Sequence, residues 1–554
     1  MRRGVMKRYL IIPLISYLLM SLSQIIAEDE QYSKIFYEKN TNIYDAIYFL
    51  TITNGEVLLS NKKPQSQAQL SNALKNLDVE QLDLLSLQTY YTVAQTLYGN
   101  YLFHTNYLKF DVDLNLALQF KALYKSENAP RIDSFTTYNS TPSPISIAFN
   151  ILITNYCFFY VDVPLQKNFA ATKVSHTYIN MPFFQRDLDY HFPTRAGMSF
   201  GGSFFNISIA RGPFNVGRSL SGSMLIADTA DRLDYFNASV FLKNFSMDIN
   251  IIQLQHSRFV FMHELSFRIF KKLAITFHEG LLVNSYFDPR YLNPFMIMHN
   301  HAPWHDPWQR ESKMNSSDDV YTSCQLGITL DAVPVKNLRL YGQFAMNQAQ
   351  TPSELKSGYN YIPNGMGGVF GAEWVQPLHI GYLIATLEGL YTVPWFYIGK
   401  NKWVSFTHYR KENVHSLKSY NDSKIDIWLA NPYGPDTAAF FARVGFVELN
   451  KWEVSFLYRF VAKGENEEHF FDPSKEIAPN VYYTFSDVTH VKHSDWALWK
   501  TPSGNPTYFN TLKASFFYNI INNFSLRGEL AWTIATGKRR GHALDASISA
   551  EYTF

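Results

Sequence analysis

Phe110-Asp-Val-Asp-Leu-Asn-Leu-Ala-Leu-Gln-Phe120 alternates large apolar side chains with small or polar ones over eleven consecutive residues. Successive strand side chains point to opposite faces, so this period of two predicts a strand with one greasy and one polar face. At roughly 3.3 Å per residue it spans about 36 Å. Tilted near 45°, it crosses the roughly 25 Å apolar band of an outer-membrane barrel. The pattern returns in residues 245–251, 338–346, 452–460 and 524–534, whose polar faces carry Asp248 and Asn250, Arg339 and Gln343, Glu453 and Arg459, and Arg527 and Glu529.

Between such runs lie compact turns of one form: Leu242-Lys-Asn-Phe245, Phe270-Lys-Lys-Leu273, Val335-Lys-Asn-Leu338, Leu449-Asn-Lys-Trp452 and Ile521-Asn-Asn-Phe524. Two-residue loops make tight antiparallel hairpins, and Asn tolerates the positive φ they require. Long polar connections stand against them at 287–317, 349–363, 409–424 and 464–479. Short turns on one side and long loops on the other predict a transmembrane barrel with a periplasmic and an extracellular end. The last segment alternates Leu544, Ala546, Ile548, Ala550, Tyr552 and Phe554 with polar residues, and resembles the C-terminal signal read by the barrel-assembly machinery. Roughly 450 residues at 10–13 per strand plus loops supply 16–20 strands, about 18, enough to enclose a lumen. Trp374, Trp395, Trp452, Trp532, Tyr552 and Phe554 fall where interfacial aromatic girdles belong.

Composition agrees. The 554 residues are 46% hydrophobic, 16% aromatic and only 17% charged, against about 25% charged in an average chain. That excludes a disordered polymer. Beyond the first 27 residues there is no apolar run near the roughly 18 needed for a spanning helix. Residues 1–27 themselves read as a secretory signal, with Arg2, Arg3, Lys7 and Arg8 before an apolar stretch. Its removal takes four of the 49 basic residues and leaves 45 against 47 acidic, a balance that gives no reason to invoke nucleic acid. Cys157 and Cys324 are read as lone thiols or one long-range disulfide.

Residues 28–105 differ in kind. Tyr44, Ile47 and Tyr48, then Leu70, Ala73, Leu74 and Leu77, recur at helical spacing, and Asn54-Gly55 and Asn61 to Pro64 divide the segment into about three short helices. Asp78 and Gln81 have capping-box spacing, with Gly99 suited to close the last helix. The organisation is therefore a signal (1–27), a helical periplasmic segment (28–105) and an all-β transmembrane antiparallel barrel (106–554).

Three stretches carry a family resemblance. They are Ile43-Tyr-Asp-Ala-Ile-Tyr-Phe-Leu50 with Gly55-Glu-Val-Leu58 and Leu70-Ser-Asn-Ala-Leu74; Gly197 through Arg211 with Gly217-Arg-Ser-Leu220 and Leu225-Ile-Ala-Asp228; and His263-Glu264 with Arg268, Glu279 and Tyr291-Leu-Asn-Pro294. Across 43–295 the chain resembles the Wzi-type capsule-assembly outer-membrane proteins, departing from a His-Arg pair at His263-Glu264. The resemblance implies an 18-stranded barrel, periplasmic helices and a surface-polysaccharide-binding role.

The candidate ligand-bearing residues lie in two groups. His299-Asn-His301-Ala-Pro-Trp304-His305-Asp306-Pro-Trp308 sets flat aromatic faces among hydrogen-bonding groups, as sugar sites do; the plainer alternative is a loop whose aromatics pack together. Trp304, Trp308, His301, His305 and Asp306 are the glycan-binding candidates. Their spacing fits no structural zinc pattern and no Cys assists, so neither metal nor cofactor is expected. Arg211, Arg218, Glu264, Arg268 and His278, with Arg258, are expected to face the lumen, as a lining for solute or glycan or as wall-stiffening ion pairs. Ser219 to Ser223 lacks a nucleophile elbow, and an enzyme is not expected. The reading is an outer-membrane barrel that binds or organises a cell-surface polysaccharide. A porin-like diffusion channel and, third, a barrel-embedded hydrolase are the alternatives. The expected partners are outer-membrane lipid, the barrel-assembly machinery and surface polysaccharide.

Overall fold

The alternation is realised as eighteen antiparallel strands that close on themselves in a computed structural model. The structure describes residues 32–37, 42–98, 101–105, 107–126, 142–165, 177–180, 193–230, 232–299, 322–349, 364–399, 402–416, 419–465, 500–521 and 523–554. The first strands are β1 (Leu108–Lys125), β2 (Ile145–Ile153), β3 (Cys157–Pro164), β4 (Arg195–Gly201), β5 (Phe205–Gly212) and β6 (Leu233–Phe241). Next come β7 (Phe245–Gln255), β8 (Arg258–Ile269), β9 (Leu273–Asn284), β10 (Thr322–Val335), β11 (Leu338–Gln348) and β12 (Gly365–Pro377). The last are β13 (Tyr382–Thr392), β14 (Thr437–Glu448), β15 (Trp452–Lys463), β16 (Thr507–Ile521), β17 (Phe524–Gly537) and β18 (Gly541–Thr553). β18 pairs with β1 from Ala543↔Lys125 to Thr553↔Asn115, which removes the sheet edge. Short strands Phe103–His104 and Thr177–Ile179 add to β1.

All five turns foreseen from the sequence join strands at one end, together with those at 154–156, 202–204 and 378–381. Asn337 and Asn450 take φ of 73° and 64°, and Phe270 and Lys271 take 50° and 59°, the left-handed geometry of type I′-like hairpins. The opposite end is not uniformly long-looped: residues 256–257 and 538–540 are tight there too. Residues 409–424, expected as a loop, lie instead in a separate hairpin of Thr407–Ser416 with Ser419–Trp428.

The outward positions expose Ile209, Phe277, Phe370, Phe456, Leu512 and Ile548, an apolar band that water would not tolerate and lipid does. This is an outer-membrane barrel. Trp374, Trp532 and Phe554 stand exposed on it, and Trp452 stacks on Phe446. Trp395 does not belong to a girdle; it is buried in the lumen. Cys157 and Cys324 are both free thiols.

Among the described residues, three α-helices precede the barrel: α1 (Ile43–Thr53), α2 (Gln67–Lys75) and α3 (Leu84–Leu97). The capping box is formed by Ser66 and Gln69 at α2, not by Asp78 and Gln81; Asp78 caps no backbone N–H, and its carboxylate accepts from the Gln81 amide at 2.6 Å. Gly99 lies outside the described residues. α1 enters the barrel mouth at the short-turn end. Its Tyr48, Phe49 and Ile52 pack against Val333, Val375, Tyr382 and Val447 from the wall, while its other face packs on Leu70, Leu74, Val93 and Leu97. A short antiparallel pair, Ile35–Phe36 with Gln65–Ser66, brackets α1.

Candidate functional site in the barrel lumen

The inward positions of β6 to β13 follow from parity. Asp248 and Asn250 on β7, Glu264, Ser266 and Arg268 on β8, Thr276 and His278 on β9, Thr329 and Asp331 on β10, and Arg339, Tyr341 and Gln343 on β11 all point inward and are buried. Polar groups buried this deeply need partners, and the register supplies them. Glu264 lies opposite His278, with the imidazole 3.4 Å away, and accepts from Asn250 at 2.6 Å; His278 also meets Thr329 at 3.0 Å. Asp331 pairs with Arg339.

The N-terminal segment completes the network. Lys62, buried, sets its ammonium 2.5 Å from Asp248. Asp45 on α1 meets Arg218 at 2.6 Å, and the Arg218 guanidinium lies 3.8 Å over the Tyr48 ring. Tyr48 donates to Glu373 and accepts from Arg339 at 3.1 Å. Burial alone would raise the Asp45 carboxyl, but Arg218, with Lys63 behind it, overrides this and holds it at about 2.

Residues 213–230, between β5 and β6, fold into the lumen from the long-loop end. Phe214, Val216, Met224, Leu225 and Ile226 are buried there with Phe396, Tyr397, Phe406, Leu429 and Ala430 of the β13–β14 connection. The wall pins this plug by its backbone. Glu388 accepts from Leu220 N–H at 2.6 Å and Ser221 N–H at 2.7 Å, and Gln343 accepts from Met224 N–H at 2.9 Å. Gly217 has φ +96°, and a Cβ there would stand 2.0 Å from the Gln343 amide, so this turn admits only glycine.

Of the expected lumen residues, Glu264, Arg268 and His278 point inward from the wall and Arg218 reaches the lumen on the plug; Arg258 too is buried inside, donating to the Trp403 and Ser405 carbonyls. Arg211 is a correction. It shares parity with exposed Ile207 and Ile209 and forms a two-fold hydrogen-bonded ion pair with Asp234 on the outer face. His263, adjacent to Glu264, likewise faces out, meeting the Tyr291 carbonyl at 3.1 Å beneath a segment that folds back over Phe261 and Leu281. Trp304, Trp308, His301, His305 and Asp306 lie outside the described residues. Lys62, Asp45, Tyr48, Glu373 and Glu388 were not anticipated. Glu373 and Glu388 were readable from strand parity; the helix and loop residues carried no signal.

The filling is one-sided. A cavity of about 450 Å³ lies between the inner wall of β15 to β18 and β1, the plug and α1, with Arg339, Tyr341 and Glu373 of β11 and β12 also in its lining. Lys513 and Glu529 pair at 2.8 Å there, with the Glu529 side chain 52% exposed. Arg459 is buried: its terminal nitrogens reach Tyr433 Oη and Thr511 Oγ1, each at 3.2 Å, and its Nε has no partner.

No family model matches the chain, and no characterised protein matches its sequence. Among solved structures it is similar to Wzi of Escherichia coli, described as an outer-membrane protein involved in group 1 capsule assembly and a carbohydrate-binding β-barrel. The TM-score is 0.52 at 12% identity, covering 91% of this chain and 97% of that one. More distant are OprD of Pseudomonas aeruginosa (TM-score 0.38, 9% identity, 80% and 95% covered) and an anion-selective porin from Comamonas acidovorans (0.32, 8%, 81% and 100%). The first likeness is one of fold.

Proposed function

We propose that this outer-membrane barrel binds or organises a cell-surface polysaccharide. The observation that carries the reading is the plug. An apolar cluster, pinned to the wall through buried carboxylate and amide acceptors, occupies the lumen from the long-loop end while α1 occupies the opposite mouth. Filling a lumen in this way works against diffusion but rigidifies a surface for recognition, and preorganisation favours binding. The carbohydrate-binding description of the structurally similar Wzi supports the same reading. The cavity of about 450 Å³ beside the plug, with polar groups from β15 to β18 in its lining, favours a second one, passage of small polar solutes.

Retention of the folded protein on the source cell's own surface polysaccharide tests the first reading, with Trp304→Ala/Trp308→Ala compared. Stacked rings contribute about 1–2 kcal/mol each on the scale of aromatic contacts, so the double change should weaken retention by about ten-fold or more. Equal retention removes these tryptophans from the site. No retention of either protein, with steady conductance in a planar bilayer, replaces binding by the channel.

A further inference from the structure

We propose that the luminal cavity is a binding site for an acidic saccharide segment, with Arg459 and Lys121 on its lining as the cations that receive the acid groups; this rests on the polysaccharide reading above. Seven basic side chains line the cavity against five acidic ones among the described residues. Much of that charge is already spent within the protein: Arg218 on Asp45, Arg339 on Asp331, Arg443 on Glu453 and Lys513 on Glu529. Lys63 sets its ammonium over the Tyr44 ring, 5.1 Å from the centroid, and the remaining two cations have no carboxylate partner among the described residues. Lys121, on the upper part of β1, makes no ion pair or hydrogen bond among the described residues, although it lines the cavity. Arg459 is only 9% exposed and engages neutral hydroxyls alone, leaving Nε bare.

A buried guanidinium with an unmade hydrogen bond is costly, and a carboxylate is the partner its planar donor fork fits best. The rest of the lining suits a sugar rather than a bare ion. Tyr433 contributes an aromatic ring, and Ser219, Thr229, Thr511 and Thr533 contribute hydroxyls, Thr511 and Thr533 being bonded to each other at 2.8 Å. The volume, about 450 Å³, lies within the roughly 300–1,000 Å³ of small-ligand sites.

The test is titration calorimetry on the full chain in detergent micelles, with digalacturonate, uncharged digalactose and inorganic phosphate as probes. Digalacturonate should bind, digalactose should bind at least about ten-fold more weakly, and 0.5 M salt should weaken the acidic probe, since screening acts on the charge term. Arg459→Gln should lower affinity about ten-fold. Lys121→Gln, at a partly exposed position that folding does not depend on, should lower it several-fold with the heat-shifted gel migration of a folded barrel retained. The assignment is overturned if digalactose binds as well as digalacturonate, if phosphate binds as tightly as the disaccharide, or if folded Lys121→Gln binds like wild type. Polysaccharide retention, measured in parallel, separates the two readings: retention without digalacturonate binding overturns only the cavity, and loss of retention overturns the polysaccharide reading.

Discussion

At the scale of single residues, the lumen is governed by the cost of burying charge. Lys62 and Asp248 are both nearly inaccessible and 2.5 Å apart. Removing one member of such a pair strands the other, at a cost of about 3–5 kcal/mol. Lys62→Met should therefore lower stability by that order in urea unfolding from lipid vesicles, and Lys62→Met with Asp248→Leu should recover most of the loss. An equal loss in the single and double variants would show that Lys62 acts through other contacts. The Asp45–Arg218 pair sets a pH dependence. Asp45 is held at about 2, below the ordinary 3.8, so its contribution is complete above about pH 4 and lost as pH falls through about 2. The gain is modest, because the Asp45 side chain is 37% exposed. Acidification from pH 5 to 2.5 should make α1 more sensitive to an acid-active protease in the wild type. Asp45→Asn should start sensitive and change little over that range.

At the scale of elements, the plug is held by its own backbone rather than by side-chain packing alone. The Glu388 carboxylate takes two of its N–H groups and the Tyr341 hydroxyl at 2.5 Å. Hydrogen bonds to a charged acceptor contribute about 1.5–3 kcal/mol each, so Glu388→Ala should loosen residues 213–230 without unfolding the wall. Faster amide exchange confined to the plug is the expected result; unchanged exchange there would mean that the apolar cluster alone holds it. Deleting residues 214–230 behind a short Gly-Ser linker should produce or raise steady conductance in a planar bilayer. If the deletion variant conducts no more than wild type, the plug is not what limits passage.

At the scale of the whole molecule, closure of β1 on β18 makes the barrel one cooperative hydrogen-bonded belt. The folded protein should migrate faster unheated than boiled on a detergent gel; identical migration would contradict a closed barrel. Within that belt the two halves of the lumen differ. β6 to β13 face the plug and helices across a buried polar network, whereas β15 to β18 and β1 border the cavity. The difference arises from which wall the inserted segments lean against, and it leaves the cavity, lined by both cations and carboxylates, on the other side.

Strand positions, hairpins and most lumen-facing side chains were legible in the chain, because period-two alternation is local and does not depend on what lies across the barrel. Arg211 was legible too: it shares parity with Ile207 and Ile209, and the neighbouring Gly212-Pro213 turn obscured that count. The contents of the lumen were a different matter. Lys62 finds Asp248 across 186 positions and Arg218 finds Asp45 across 173, and no local pattern announces either pairing. Trp395 looked like any girdle aromatic until its loop turned inward. A strand's faces are set by its own residues, but the partner of a buried charge is set by which distant segment the closed wall forces against it, and that only the tertiary structure decides.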